Sequence, residues 1–158
     1  VRDSILIPLK MDNTTIDASN AIPPNTTNFF RTKRILSNPV ANEYKIAGGG
    51  FLSTSEDITR FGHELISPTL ISQESLSQLV TSQRLKNGNL TGYGIGFSVE
   101  KTKHNTPKYY HTGGGVGASS ILMIFPEEDV VITVLTNKTG ISMKAFGEEL
   151  EAVFVDEK

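Results

Sequence analysis

The chain has 158 residues, no cysteine and a formal net charge of −2, with 37% hydrophobic and 20% charged residues. That length suits one soluble globular domain with a real core. The composition excludes disulfides and thiolate chemistry, shows no basic balance that would favour nucleic acid, and contains no apolar run of about 18 residues that would cross a membrane. The absence of cysteine does not choose a compartment. The chain starts at Val1 without Met or a signal-like segment, so it is expected to be a piece of a longer protein.

Val1, Ile5 and Leu9 have helical spacing, and Pro8 ends that pattern, which reads as the tail of a helix. Residues 12–46 are rich in Asn, Thr and Pro, including Pro23-Pro24 and Asn38-Pro39. They read as loop, with a short strand near Phe29-Phe30. An ordered loop this long usually covers something or carries function. Ala47-Gly48-Gly49-Gly50 opens a compact region. Ser53-Thr54-Ser55-Glu56 has the capping-box pattern with Ser53 as the cap, followed by a helix with Ile58, Phe61 and Leu65 on one face and Pro68 closing it. Ser72 is expected to start a second helix, with Leu76, Leu79 and Val80 inward.

Tyr93, Ile95, Phe97 and Val99 alternate with small or polar residues, which predicts a strand over 93–99. Lys101 to Pro107 reads as a polar turn. Three further strands follow, from Tyr109 into the glycines, from Ala118 to Phe125, and from Val130 to Thr136, with Pro126-Glu127-Glu128-Asp129 as a hairpin connection. Ser142 is expected to cap a last helix with Met143, Phe146, Leu150, Val153 and Phe154 on one side. The fold class is α+β, an antiparallel sheet flanked by helices.

The candidate site is His111-Thr112-Gly113-Gly114, inside the run to Gly117. A strand ending in these residues gathers backbone N–H groups, a hydroxyl and an imidazole without bulky side chains, which suits a developing oxyanion. Other tempting features have plainer readings. Lys138-Thr139-Gly140 follows the last strand and is read as a strand-to-helix turn. His63-Glu64 lacks a second His at zinc-protease spacing. His63 is read as a solvated helix residue and His104 as a loop residue. Gly92 to Gly96 lacks the spacing of a dinucleotide loop. Four Asn-x-Thr sequences are attributed to the abundance of Asn and Thr. Tyr93 and Tyr109 are read as pocket lining or as sheet packing. Ser53 and Ser119 have no base nearby in sequence.

Taken in order, Pro8-Leu9-Lys10-Met11 with Thr14, Ala47-Gly48-Gly49-Gly50-Phe51-Leu52-Ser53-Thr54 with Asp57, Tyr93-Gly94-Ile95-Gly96-Phe97, His111-Thr112-Gly113-Gly114 and Phe125-Pro126-Glu127 with Val134-Leu135-Thr136-Asn137 resemble the serine β-lactamase and penicillin-binding-protein superfamily. The resemblance is to its C-terminal half, in the class C β-lactamase-like branch with its esterases, D-peptidases and mitochondrial relatives. It covers almost the whole chain, so residues 1–158 are expected to be the C-terminal part of one domain with a partial β-lactamase/transpeptidase-like fold.

The resemblance implies acyl transfer by the serine of a Ser-x-x-Lys, a Tyr-x-Asn that assists proton transfer, and a Lys/His-Thr-Gly strand that lines the pocket. Only the third is expected in this chain. Ser82 to Lys86 is one residue too long for Ser-x-x-Lys and Ser142 to Lys144 one too short. None of Tyr44, Tyr93, Tyr109 and Tyr110 has Asn at the second following position. The family keeps both motifs upstream of Pro-Leu-x-Met, so they are expected before Val1 or on another chain. Carried over residue by residue, His111 takes the place of the usual Lys, which argues against tight binding of a β-lactam carboxylate. Thr112 supplies a hydroxyl and Gly113 admits the substrate. The Gly114 N–H is an oxyanion donor worth about 3 kcal/mol when a nucleophile is present.

On this reading the parent hydrolyses an ester, amide or β-lactam with no metal or organic cofactor, and the chain alone is inactive. Its partners are a small acyl substrate or peptide and the missing half, in cis or in trans. Uncovered apolar surface and an open strand edge predict self-association. The resemblance implies a periplasmic or secreted location, or a mitochondrial one in a eukaryote. The alternatives are a non-catalytic scaffold or assembly protein on the same fold, and a small domain whose glycine turn holds a carboxylate.

Overall fold

A computed structural model describes residues 1–18, 20–38, 40 and 42–156. Pro39 of the Asn38-Pro39 pair, expected in the loop, lies outside the described residues. The chain opens with a wide helical turn over Arg2–Leu6. Short strand β1 (Thr15–Ile16) pairs antiparallel with β2 (Phe51–Leu52), and a single helical turn, α1 (Ile46–Gly49), precedes β2. Helices α2 (Ser55–Glu64) and α3 (Gln73–Leu79) follow. The main sheet has the order β3-β4-β5-β6, from Ser98–Lys101, Pro107–Gly115, Ala118–Phe125 and Val130–Thr136, antiparallel throughout. Helix α4 (Met143–Phe154) closes the fold. The expected α+β class is the one observed.

The sheet is a central layer because β5 is apolar on both faces. Ile121, Met123 and Phe125 join Tyr110, Met143 and Val155 in the core beneath α4. Ile124 joins Leu65, Leu76 and Phe97 on the opposite face, with Leu122 and Tyr109 packed against them. Burying both faces orders the central strand firmly, since a slip by one residue would exchange the two cores. Helix α4 comes close to the sheet through Gly147, where an added Cβ would stand 2.6 Å from the Met123 sulfur.

Several expectations are corrected. The cap of α2 is Thr54, whose hydroxyl accepts from the Asp57 N–H at 3.2 Å, and not Ser53. Ser53 instead shares a 2.7 Å hydrogen bond with Thr14. Of the strand predicted over 93–99 only Ser98 and Val99 lie in β3, which runs on through Lys101, a residue expected in the following turn. Gly94 and Gly96 make a turn in the first half of the predicted span, with Gly96 at φ +89° and the Leu79 carbonyl against the Gly94 Cα. On α4 the buried side runs through Met143, Gly147 and Glu151, while Phe146, Val153 and Phe154 are substantially exposed. Ser142 precedes α4 without a side-chain capping bond. The strand expected at Phe29-Phe30 is a minimal hairpin in which Phe30 bridges Leu36 and also Lys138.

Two buried carboxylates tie the loops to this frame. Asp57, 1% exposed, accepts from the Asn13 N–H and the Thr14 hydroxyl, each at 2.8 Å. These bonds fasten the N-terminal segment to α2, and hydrogen bonds to a charged group are worth about 1.5–3 kcal/mol. Asp57→Ala is therefore expected to lower stability by about 2–4 kcal/mol, read from the urea midpoint of unfolding. An unchanged midpoint would remove this role. Glu64 accepts from the Thr69 N–H, the Thr69 hydroxyl and the Leu70 N–H, holding the turn after α2.

Burial pushes the Glu64 carboxyl up, but the hydrogen bonds from Leu70 and Thr69 outweigh it and hold it below the usual range. A carboxylate depressed in the folded state stabilises fully above its unfolded value of about 4.3 and loses that contribution as pH falls through the folded value. Stability is expected to drop below about pH 4. Glu64→Gln should flatten that drop in urea titrations, whereas an equally steep drop in the variant would exclude Glu64 as its source.

The outer edge of β6 has no partner strand among the described residues. Beside it lies a groove of about 800 Å³ between α2, β6 and α4, lined by the apolar Val130, Val131, Leu150 and Phe154 and by polar residues of α2 that include Thr59, Arg60 and His63.

Candidate active site

The glycine run gets its geometry from pairing on one side only. On the β5 side the register is complete, with His111 opposite Leu122, Thr112 opposite Ile121, Gly113 opposite Ser120 and Gly114 opposite Ser119. On the other side, β3 ends its pairing at Ser98 opposite Tyr110. From His111 to Gly115 the second edge of β4 is therefore open among the described residues. An open edge offers backbone N–H and C=O groups to an extended ligand.

Side chains alternate across this edge. His111 lies on the Leu122 face, where the Tyr93 ring meets it edge-on with centroids 6.3 Å apart. Thr112 lies on the Ile121 face and lines a hollow of about 490 Å³ with Gly114, Ser142 and Lys144. The four sequence-predicted residues are thus consecutive on one exposed strand end, with imidazole and hydroxyl on opposite faces. Of the two tyrosines, Tyr93 joins the site. Tyr109 packs beneath α2 and α3, where burial, aided by Glu127, pushes its phenol up.

The end of the strand is fixed by a residue that sequence reading treated as a plain turn. Thr139 Oγ1 accepts from the Gly117 N–H at 2.6 Å and donates to the Gly115 carbonyl at 3.2 Å. The Lys138-Thr139-Gly140 segment is a strand-to-helix turn, as expected, but its hydroxyl holds the glycine turn. Ser119 is buried and donates to the Lys138 carbonyl at 2.9 Å. Lys144 donates to Glu100 at 2.9 Å and stands 5.0 Å from the centre of the Tyr110 ring. The Glu100 bond, then that to Tyr110, raises the Lys144 ammonium well above its ordinary value. It stays charged beside the Thr112 hollow.

One literal Ser-x-x-Lys does occur, contrary to expectation: Ser98-Val99-Glu100-Lys101. It lies on β3, where residues three apart point to opposite faces. Lys101 donates to Asn105 at 2.8 Å and does not serve Ser98. His63 is exposed in the last turn of α2, and His104 stands 3.8 Å from Asp156 at the far end of the sheet. Among the described residues no three His, Asp or Glu side chains gather as metal ligands, and no helix is long and apolar enough to cross a membrane.

The sequence model of the family described as Beta-lactamase matches residues 1–154. The chain belongs to the beta-lactamase family. It is 30% identical over 179 residues to the mitochondrial serine beta-lactamase-like protein LACTB of Bos taurus, a match covering 87% of this chain and 32% of that protein. It is 30% identical over 149 residues to the human LACTB, covering 76% and 27%. The octameric penicillin-binding protein homologue from Pyrococcus abyssi superposes with a TM-score of 0.80 at 19% identity, over 98% of this chain and 36% of that one. A D-stereospecific amidohydrolase from Streptomyces sp. superposes with a TM-score of 0.74 at 21% identity, over 98% and 47%. The chain therefore spans about a third of the two LACTB proteins and less than half of these two structures.

Proposed function

We propose that this chain is the sheet half of an acyl-serine hydrolase site. The open edge of β4 from His111 to Gly115 carries this reading, because it leaves an extended, polar and uncrowded strand end beside the hollow under Thr112. An acyl substrate lies along that edge. The serine comes from the rest of the family domain, in cis or on another chain, and attacks the carbonyl carbon. The Gly114 N–H donates to the carbonyl oxygen as it gains negative charge. Thr112 and His111 hold the substrate's polar end from the two faces, with Tyr93 against the imidazole. The substrate class is an ester, amide or β-lactam, and the reaction needs no metal or organic cofactor. The LACTB relatives, named mitochondrial, support that compartment if the source is eukaryotic.

The chain alone is expected to bind without turning over. Hydrolysis of p-nitrophenyl acetate and of a chromogenic cephalosporin should stay at the buffer rate for the 158-residue chain and rise with a longer product of the same gene. Turnover by the chain alone would overturn this division of the site.

A second reading, a non-catalytic assembly protein, is favoured by the open β6 edge and the groove beside it, and by the octameric state named for one structural neighbour. The same groove supports self-association of the isolated chain. A longer product that assembles but lacks esterase and lactamase activity would select this reading.

A further inference from the structure

The segment 18–42 contains no Asp or Glu, yet it holds Arg31, Lys33 and Arg34 within four positions. The whole chain is acidic, at −2, so these three cations stand against the general balance. They form the tip of the minimal hairpin. The Arg31 N–H donates to the Ile35 carbonyl at 2.9 Å, and the Ser37 N–H to the Phe29 carbonyl at 2.8 Å. All three side chains are exposed, and none makes an ion pair among the described residues. Ile35 and Leu36 beside them are 60% and 56% exposed.

The base of this hairpin is attached to the candidate site. The Phe30 N–H donates to the Asn137 carbonyl at 2.9 Å, and the Thr139 N–H donates to the Phe30 carbonyl at 3.0 Å. Asn137 adds a bond to the Asn28 carbonyl at 2.9 Å. Gly117, with φ +82°, packs directly against Phe29, leaving no room for a side chain. Thr139 thus holds both the hairpin and the glycine turn. A chain lying on the open β4 edge and continuing past Gly115 reaches the turn at Gly117, against which the base of the hairpin packs.

We propose that Arg31, Lys33 and Arg34 form a recognition arm for an acidic peptide whose neighbouring residues lie on the β4 edge. The proposal rests on the reading of that edge as the substrate track. It narrows the substrate class to peptide-like chains with carboxylates a few residues from the scissile group. Three unpaired cations on a braced hairpin supply charge complementarity, and the exposed Ile35 and Leu36 offer apolar contact between the carboxylates.

The test uses the 158-residue chain and two fluorescein-labelled peptides of six residues, one with three consecutive glutamates and one with glutamines in their place. Fluorescence anisotropy should show the glutamate peptide binding at least about tenfold tighter at low salt, a preference that shrinks as salt rises. The Arg31→Gln/Lys33→Gln/Arg34→Gln variant should lose the preference and still bind the glutamine peptide. Arg31→Lys/Arg34→Lys should keep most of it, since the charge remains. Equal binding of both peptides would overturn the arm while leaving the edge intact. Binding of neither would overturn both readings. Binding to phosphatidylserine vesicles that depends on the same three residues, without discrimination between the peptides, would replace the peptide with a membrane surface.

Discussion

Lys108→Met, made alone, should lower the free energy of unfolding by about 3–5 kcal/mol. Lys108 Nζ donates to Glu151 Oε2 at 2.8 Å, and each side chain is 8% exposed. Glu100 stands 3.8 Å away on the more open side. The pair joins β4 to α4 across the sheet face that carries Tyr110 and Thr112. Removing the ammonium strands the Glu151 carboxylate where water reaches it poorly, and that uncompensated charge dominates the cost. Lys108→Met/Glu151→Met should recover most of the loss, because a well-packed apolar pair of similar volume often matches a buried ion pair. Urea unfolding of the two variants checks both statements. A single variant within about 1 kcal/mol of the original chain would mean that the pair is solvated.

The second large effect concerns the chemistry. In a longer, active product, Gly114→Pro removes one backbone donor and should lower kcat by about 10²–10³-fold, with a smaller change in KM. Proline is tolerated on a strand where its nitrogen faces an open edge. If the Gly114 N–H faces the substrate, the β4–β5 ladder survives and the unfolding midpoint stays near that of the parent. A fall in kcat with a matching collapse in stability would assign the loss to folding instead.

Much of the sheet could be read in advance, for a physical reason. Tyr109 to Thr136 carries long β-rich runs separated by turns containing Gly or Pro, and each run pairs with its neighbour in sequence. The Tyr93 to Val99 pattern alternates just as well, but two of its small residues are Gly94 and Gly96, and their freedom let the chain turn beneath Leu79. The choice between Ser53 and Thr54 as a cap depended on Thr14, 39 residues earlier in sequence. Strand β1 is two residues long and has no period to detect.

At the site, His111 to Gly114 stood out because small residues and a hydroxyl follow a strand pattern. Thr139 had a visible signal, the literal Lys-Thr-Gly, whose meaning changed once its hydroxyl met Gly115 and Gly117. Lys144 had none, because its place beside Thr112 depends on how α4 crosses the sheet. The Lys108–Glu151 pair, 43 residues apart, was equally hidden. Ser98 to Lys101 is a literal Ser-x-x-Lys match that sequence reading passed over, and its place on a strand makes it chemically empty.

On the proposed function, these 158 residues bind and polarise a substrate whose nucleophile lies elsewhere in the protein. A fluorophosphonate label that reacts with activated serines, followed by peptide mass spectrometry, tests it most directly. In a longer active product the label should sit on a serine outside these 158 residues, and the isolated chain should stay unlabelled. A label on Ser98, Ser119 or any other serine of this chain would contradict the account.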